Sequence, residues 1–164
     1  MSPHLERRPA VNYIGIRSEA AADQLPVALP PLFSQLCAWL ERHDVAPVGV
    51  PFVRYRTVDR SRPVPWFGFE VGFPVGPGVE GDGYAAAGEL PAGNYVVALY
   101  TGPYTGLREA NAEVFDWARR EGVVLQHSNT GVEWMAWLGF CITDPSREPD
   151  PSKWQTEIAI LTVG

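Results

Sequence analysis

The chain has 164 residues, 46% of them hydrophobic, which is enough for one domain with a substantial core and too little for two unrelated ones. Thirteen Lys and Arg against nineteen Asp and Glu leave a net charge of −6, so a phosphate backbone is repelled on average and direct nucleic-acid binding is not expected. Six Trp, six Tyr and seven Phe suit either a large core or a cavity lined by rings.

In chain order, the opening MSPHLERRPAV has no apolar signal core, and no stretch reaches the ~18 apolar residues of a spanning helix. A cytoplasmic protein without a membrane partner is expected. Val11 to Ile16 is a short strand. Pro26, Pro30 and Pro31 mark a loop, after which Leu32, Phe33, Leu36, Trp39, Leu40 and His43 recur at helical spacing. PFVRYRTVD alternates with period two around Val53, Tyr55 and Thr57, and WFGFEVGFPV follows across a turn-rich RSRPVP. The Gly- and Pro-rich segment 76–88 reads as a linker. ELPAGNYVVALYTGPY is a strand broken at Gly102-Pro103. The next helix buries Leu107, Ala110, Val114, Trp117 and Ala118, with Gly122 at its C-terminal end. Two further strands, VEWMAWLGFCIT and WQTEIAILTV, flank the loop DPSREPDPSK.

Both halves, about 11–75 and 89–163 of a single 1–164 domain, therefore read strand, helix, strand, strand. Asn12-Tyr13 echoes Asn94-Tyr95, Trp39 echoes Trp117, and Trp66 with Glu70 echoes Trp154 with Glu157. Similar halves pack about a pseudo-twofold axis with a crevice where they meet. The expected class is α+β: two βαββ modules, antiparallel sheets with helices, and a ligand cleft between the halves.

Several chemistries are absent. Gly76-Pro77-Gly78-Val79-Glu80-Gly81 has the form of a dinucleotide loop, but no helix follows it, and Glu80 and Asp82 repel a pyrophosphate. His4, His43 and His127 are isolated, and Cys37 and Cys141 share no ligand spacing, so neither metal nor other cofactor is expected. What remains is rings plus carboxylates. Glu157, in a strand with Ile158 and Ile160, and its echo Glu70 are the candidate counter-charges of the crevice. Carboxylate and rings together favour a flat, apolar, cationic ligand. They also suit acid–base chemistry, with a Tyr donating to a leaving oxygen.

Strand alternation places Glu133, Met135, Trp137 and Gly139 on one face and Trp134, Ala136, Leu138 and Phe140 on the other. The first face suits an adaptable pocket, and the second reads as core under a helix. The ligand-contact set is accordingly Glu157, Trp137, Met135, Trp39, Tyr55, Glu70, Trp66, Tyr104 and Phe33, with Glu157, Tyr55 and Tyr104 as the catalytic candidates. Glu109, Glu113, Asp116 and Glu121 belong to a solvated helix face.

ELPAGNYVVALYTGPY, the helix ending W-x-x-x-x-G, the strand running into TDP and the final W-x-x-E-I resemble the GyrI-like family, also called the AraC-type effector-binding domain. The resemblance spans about Val11 to Val163. It implies paired βαββ modules with a cleft, and it makes Glu157 the family's ligand-contacting acid. Members are ligand sensors of transcription activators, stand-alone drug binders, gyrase inhibitors, or hydrolases that open the cyclopropane of DNA-alkylating natural products. About ten residues precede the first strand, too few for a helix-turn-helix. Gly139-Phe140-Cys141-Ile142 stands where relatives often carry a Tyr, so a hydrolase would draw its Tyr from Tyr55 or Tyr104. The expectation is a stand-alone protein, monomer or weak dimer, sequestering bulky, flat, often cationic compounds in an aromatic cage around a Glu. The alternatives are a cyclopropane-opening hydrolase and a protein-interaction module.

Overall fold

The computed structural model describes residues 1–164. Ten principal elements follow one another: β1 (His4–Arg8), β2 (Val11–Ala21), α1 (Leu25–Arg42), β3 (Phe52–Asp59), β4 (Trp66–Pro74), β5 (Ala86–Leu90), β6 (Gly93–Thr101), α2 (Leu107–Arg120), β7 (Glu133–Cys141) and β8 (Gln155–Leu161). The strands form one antiparallel sheet in the order β1-β6-β8-β7-β3-β4-β2-β5. The fold is α+β, with two βαββ units joined edge to edge through β3 and β7.

The sheet order is symmetric. Exchanging each strand of the first half for its partner in the second (β1 with β5, β2 with β6, β3 with β7, β4 with β8) turns the order into its own reverse. The register obeys the same exchange: Arg17 faces Glu70 as Leu99 faces Glu157, so the two carboxylates occupy equivalent places. The tryptophans do not. Glu19 faces Gly68 and Thr101 faces Gln155, which makes Phe67, not Trp66, the equivalent of Trp154.

β1 lies at one edge of the sheet, yet only Pro9 and Ala10 connect it to β2, which is next to the opposite edge. Two connecting residues reach about 11 Å between strand ends. Pro91 and Ala92 join β5 to β6 in the same way. The two stitches force the sheet to curl, into a half-barrel that stays open between its edge strands β1 and β5. The curl explains a core that no helix covers: Tyr13, Phe52, Tyr95, Leu138, Ala159 and Leu161 pack together inside it. Gly88 admits the Tyr13 ring, which would lie 2.5 Å from any Cβ built at that position.

The helices lie on the other face. α1 buries Leu36, Trp39 and Leu40 against Ile14, Ile16, Phe69 and Val71, while α2 buries Ala110 and Val114 against Val96, Ala98, Ile158 and Ile160, with Ala118 buried on the same helix. Gly122, at φ 68°, ends α2 in the left-handed conformation expected of it. No helix is long and apolar enough to cross a membrane.

Four local expectations are corrected. Pro26, Pro30 and Pro31 belong to α1 rather than to a loop: Pro26 sits in the first turn, where no amide is needed, and the other two are exposed to water. β5 occupies part of the segment read as linker, and β1 also escaped the periodicity because neither short strand alternates cleanly. A bulge between Tyr55 and Thr57 breaks the alternation of β3, so that Thr57 turns its hydroxyl to the Gly68 amide at 3.1 Å. Ala136, Leu138 and Phe140 pack inside the curl rather than under a helix, while the register shift brings Trp134 to the helix face beside Trp137.

Candidate functional site

α1 rests on β2 and β4, and α2 rests on β6, so the central pair β3–β7 runs between the helices as the floor of a groove. Strand alternation aims Val53 and Tyr55 from β3, and Trp137, Gly139 and Cys141 from β7, at that floor. Tyr55 and Phe67 pack against both the α1 and the α2 cores and mark the seam between them.

The floor is aromatic. The Tyr55 ring centre lies 4.8 Å from that of Trp137 and 5.3 Å from that of Phe67, and Phe115 meets Trp137 edge-on at 5.1 Å. The Trp137 indole donates to Asn111 Oδ1 at 2.9 Å, and the Asn111 amide donates to the Leu107 carbonyl at 2.8 Å. α2 thereby fixes the plane of the central ring. Phe33 is half-buried against the α1 core, and Tyr104 packs on Trp154 at 4.9 Å on the side of α2. Gly139 leaves room in the floor, where an added Cβ would meet only Thr156 Cγ2, at 3.8 Å.

No carboxylate belongs to this floor. Burial pushes the Cys141 thiol up to about 11, the Tyr104 hydroxyl up to about 12 and the Tyr55 hydroxyl higher still, with Cys141 adding a smaller upward push on both tyrosines. All three are neutral at physiological pH. Thr156, 4% exposed, has a buried hydroxyl without a hydrogen-bond partner.

Glu70 and Glu157 leave the sheet on the opposite, helix-free side. Glu70 accepts hydrogen bonds from the Tyr13 hydroxyl at 2.7 Å and from Arg56 Nε, with Arg17 at 3.6 Å. Arg54, 4% exposed, donates to the Tyr13 hydroxyl at 2.9 Å and to the carbonyls of Glu89 and Met135. Burial, and then the hydrogen bond to Glu70, raise the Tyr13 hydroxyl. Glu157 pairs with Arg8 at 2.7 Å, and Arg8 also bonds Glu6 at 3.0 Å and lies over the Phe140 ring. Beside this pair, Arg8, Val11, Leu90, Tyr95, Leu138 and Phe140 line a cavity of about 130 Å³.

Of the sequence-derived set, Tyr55 and Trp137 touch, Phe33 packs on the α1 core and Tyr104 packs on Trp154. The groove does not gather Glu157 and Glu70, which project through the other face of their strands. Met135 is exposed and contributes only its carbonyl, to Arg54. Trp39 is buried beneath α1, donating to Asp82 at 3.0 Å and stacked on His43 at 3.9 Å. Trp66 lies at the outer end of β4 under the Arg62 guanidinium. Sequence reasoning placed Gly139 on the pocket-facing side of its strand but did not pick out Phe67, Thr156, Cys141 or Asn111. Aligning the halves through Glu70 and Glu157 residue by residue would have found Phe67 as the match of Trp154. No three His, Cys, Asp or Glu side chains cluster in a way that could hold a metal ion.

Residues 1–161 match the model of the GyrI-like small molecule binding domain. The chain belongs to this family. Among solved structures it is similar to the C-terminal domain of EcmrR (TM-score 0.72, 17% identity, 98% of this chain and 96% of that one), and it spans 57% of the full EcmrR chain seen in complex with DNA. SAV2435 bound to tetraphenylphosphonium is also similar (TM-score 0.64, 11% identity, 100% and 95% covered), as is a hydrolase from Listeria innocua (TM-score 0.59, 13% identity, 98% and 91% covered). At these identities the likeness is one of fold. No curated protein sequence matches the chain.

Proposed function

We propose that this GyrI-like chain sequesters bulky, flat, apolar compounds in the groove between α1 and α2. The observation that carries the reading is the seam between the two helix cores, where Tyr55, Phe67 and Trp137 pack ring against ring beside the space at Gly139. Concave, apolar surfaces with a few polar groups are the ordinary form of a small-molecule site. The neighbour SAV2435 is bound to tetraphenylphosphonium, a bulky aromatic cation, which supports bulky aromatic ligands for this fold.

A cyclopropane-opening hydrolase needs a base for water and an acid for the leaving oxygen. In this groove Tyr55, Tyr104 and Cys141 stay protonated, and both candidate carboxylates lie across the sheet, paired with arginine. Binding without turnover is the better fit. Titrating aromatic compounds while following tryptophan fluorescence, with mass spectrometry of the recovered ligand, tests both points. Quenching with unchanged ligand is expected. A hydrated product would replace the reading with hydrolysis, and the absence of quenching by every compound would remove it.

A further inference from the structure

The helix-free face of the sheet holds two equivalent carboxylates in unequal company. Around Glu157 one guanidinium serves two acids: Arg8 lies 2.7 Å from Glu157 and 3.0 Å from Glu6. Around Glu70 three guanidiniums converge on one acid. Arg56 and Arg17 meet its two oxygens directly, and Arg54 reaches it through the Tyr13 hydroxyl, donating to that oxygen at 2.9 Å while Tyr13 donates to Glu70 at 2.7 Å. No other carboxylate redresses the balance, because Glu19, Glu89 and Glu133 are exposed and form no ion pair. Three guanidiniums against one carboxylate leave an excess of two positive charges at this place, in a chain whose net charge is −6.

Part of that excess is buried. Arg54 is 4% exposed; its terminal nitrogens are taken by Tyr13 and the carbonyls of Glu89 and Met135, but its Nε has no partner. A buried guanidinium without a counter-ion of its own is costly, and an anion held nearby offsets part of that cost. The other two arginines are reachable from solvent, with side-chain exposures of 66% for Arg17 and 31% for Arg56. Arg17 makes its one polar contact through Nε, 3.6 Å from Glu70. Arg56 spends Nε on Glu70 and Nη2 on the Tyr13 hydroxyl, so its Nη1 and both Nη nitrogens of Arg17 are unspent. A guanidinium presents a planar fork of donors matched to the oxygens of a carboxylate or phosphate. Both forks already meet one carboxylate, so a single anion can span them.

We infer that the helix-free face carries a second binding site, where Arg17 and Arg56 receive an oxyanion, the phosphate or carboxylate group of a small acidic compound, and buried Arg54 adds its charge. The site lies across the sheet from the aromatic groove and stands independently of it.

Calorimetric titration of the intact chain with inorganic phosphate and, separately, with acetate tests it, in a low-salt buffer that leaves the charges unscreened. Saturable binding of one anion per chain is expected, and the tighter of the two names the group that the ligand carries. Arg17→Gln, a change at an exposed side chain, should weaken that binding at least about tenfold. Arg17→Lys, which keeps the charge and loses the fork, should recover part of the loss. Arg119→Gln removes an equally exposed arginine, paired with Asp116 on α2, and should leave the affinity unchanged. Absence of saturable binding for both anions overturns the inference. So does an equal weakening by Arg17→Gln and Arg119→Gln, which is the signature of bulk charge rather than of a site.

Discussion

The two faces of the central sheet bury polar groups in opposite ways. Inside the curl, charge is met by charge: Glu70 is held by Tyr13, Arg56 and Arg17, Arg54 is spread over Tyr13 and two carbonyls, and Glu157 is matched by Arg8. Along the seam between the helices no ring neighbour is charged, and the Thr156 hydroxyl lacks a partner, as does Arg54 Nε inside the curl. A buried network with most of its groups paired specifies and stabilises a fold. The presence of an acid in a strand is therefore a poor guide to a binding site until its partners are known.

The largest effect should come from breaking the charged face. Glu70→Ala would leave Arg54 and Arg56 buried or half-buried around an empty place and should cost about 3–5 kcal/mol of stability by urea denaturation. A loss below about 1 kcal/mol would mean that the curl is held by its apolar core alone. Next, Gly139→Phe should fill the groove floor and weaken aromatic ligands at least about tenfold, roughly 1.4 kcal/mol, by the same quenching titration. Undiminished binding in that variant would move the site elsewhere, with the cavity beside Glu157 as the first alternative.

Smaller changes sharpen the contrast. Thr156→Val removes an unpaired hydroxyl, so the ligand-free protein should be unchanged or up to about 1 kcal/mol more stable. Glu157→Gln loosens a partly exposed pair and should cost no more than about 1 kcal/mol, clearly less than the change at its equivalent Glu70. The smallest effect is pH. Because the Cys141 and Tyr104 protons are lost only near about 11 and about 12, with Tyr55 higher, these groups stay protonated at lower pH. Binding should be flat across roughly pH 5–9 and fall only as the pH rises toward those values. A loss of affinity on acidification through the carboxylate range would instead reveal an acid at the ligand.

The sequence made several of these features legible. Helical spacing at Leu36, Trp39 and Leu40 and at Ala110, Val114 and Ala118 identified the buried faces of both helices, and the repeat of Asn12-Tyr13 in Asn94-Tyr95 exposed the doubled fold. Periodicity reports which residues share a face, and those helix residues do. It failed at β3 and β7, where an extra residue of β3 against β4 sent Thr57 to the opposite face and a further irregularity of β7 against β3 brought Trp134 round to Trp137. A bulge is a single extra residue, and no pattern of apolar positions announces it.

By itself the sequence determined the two βαββ units, their pairing through Glu70 and Glu157, and the presence of Tyr55 and Trp137 as rings needing a place. Only the tertiary structure decided which side of the sheet each would serve. Alternation divides a strand into two sets without saying which set meets the helices, and the arginines that answer the two carboxylates come from other strands: Arg8 from β1, Arg17 from β2, Arg54 and Arg56 from β3. The curl brings those strands together, and it depends on two short Pro-Ala connections whose consequence appears only when the sheet order is known.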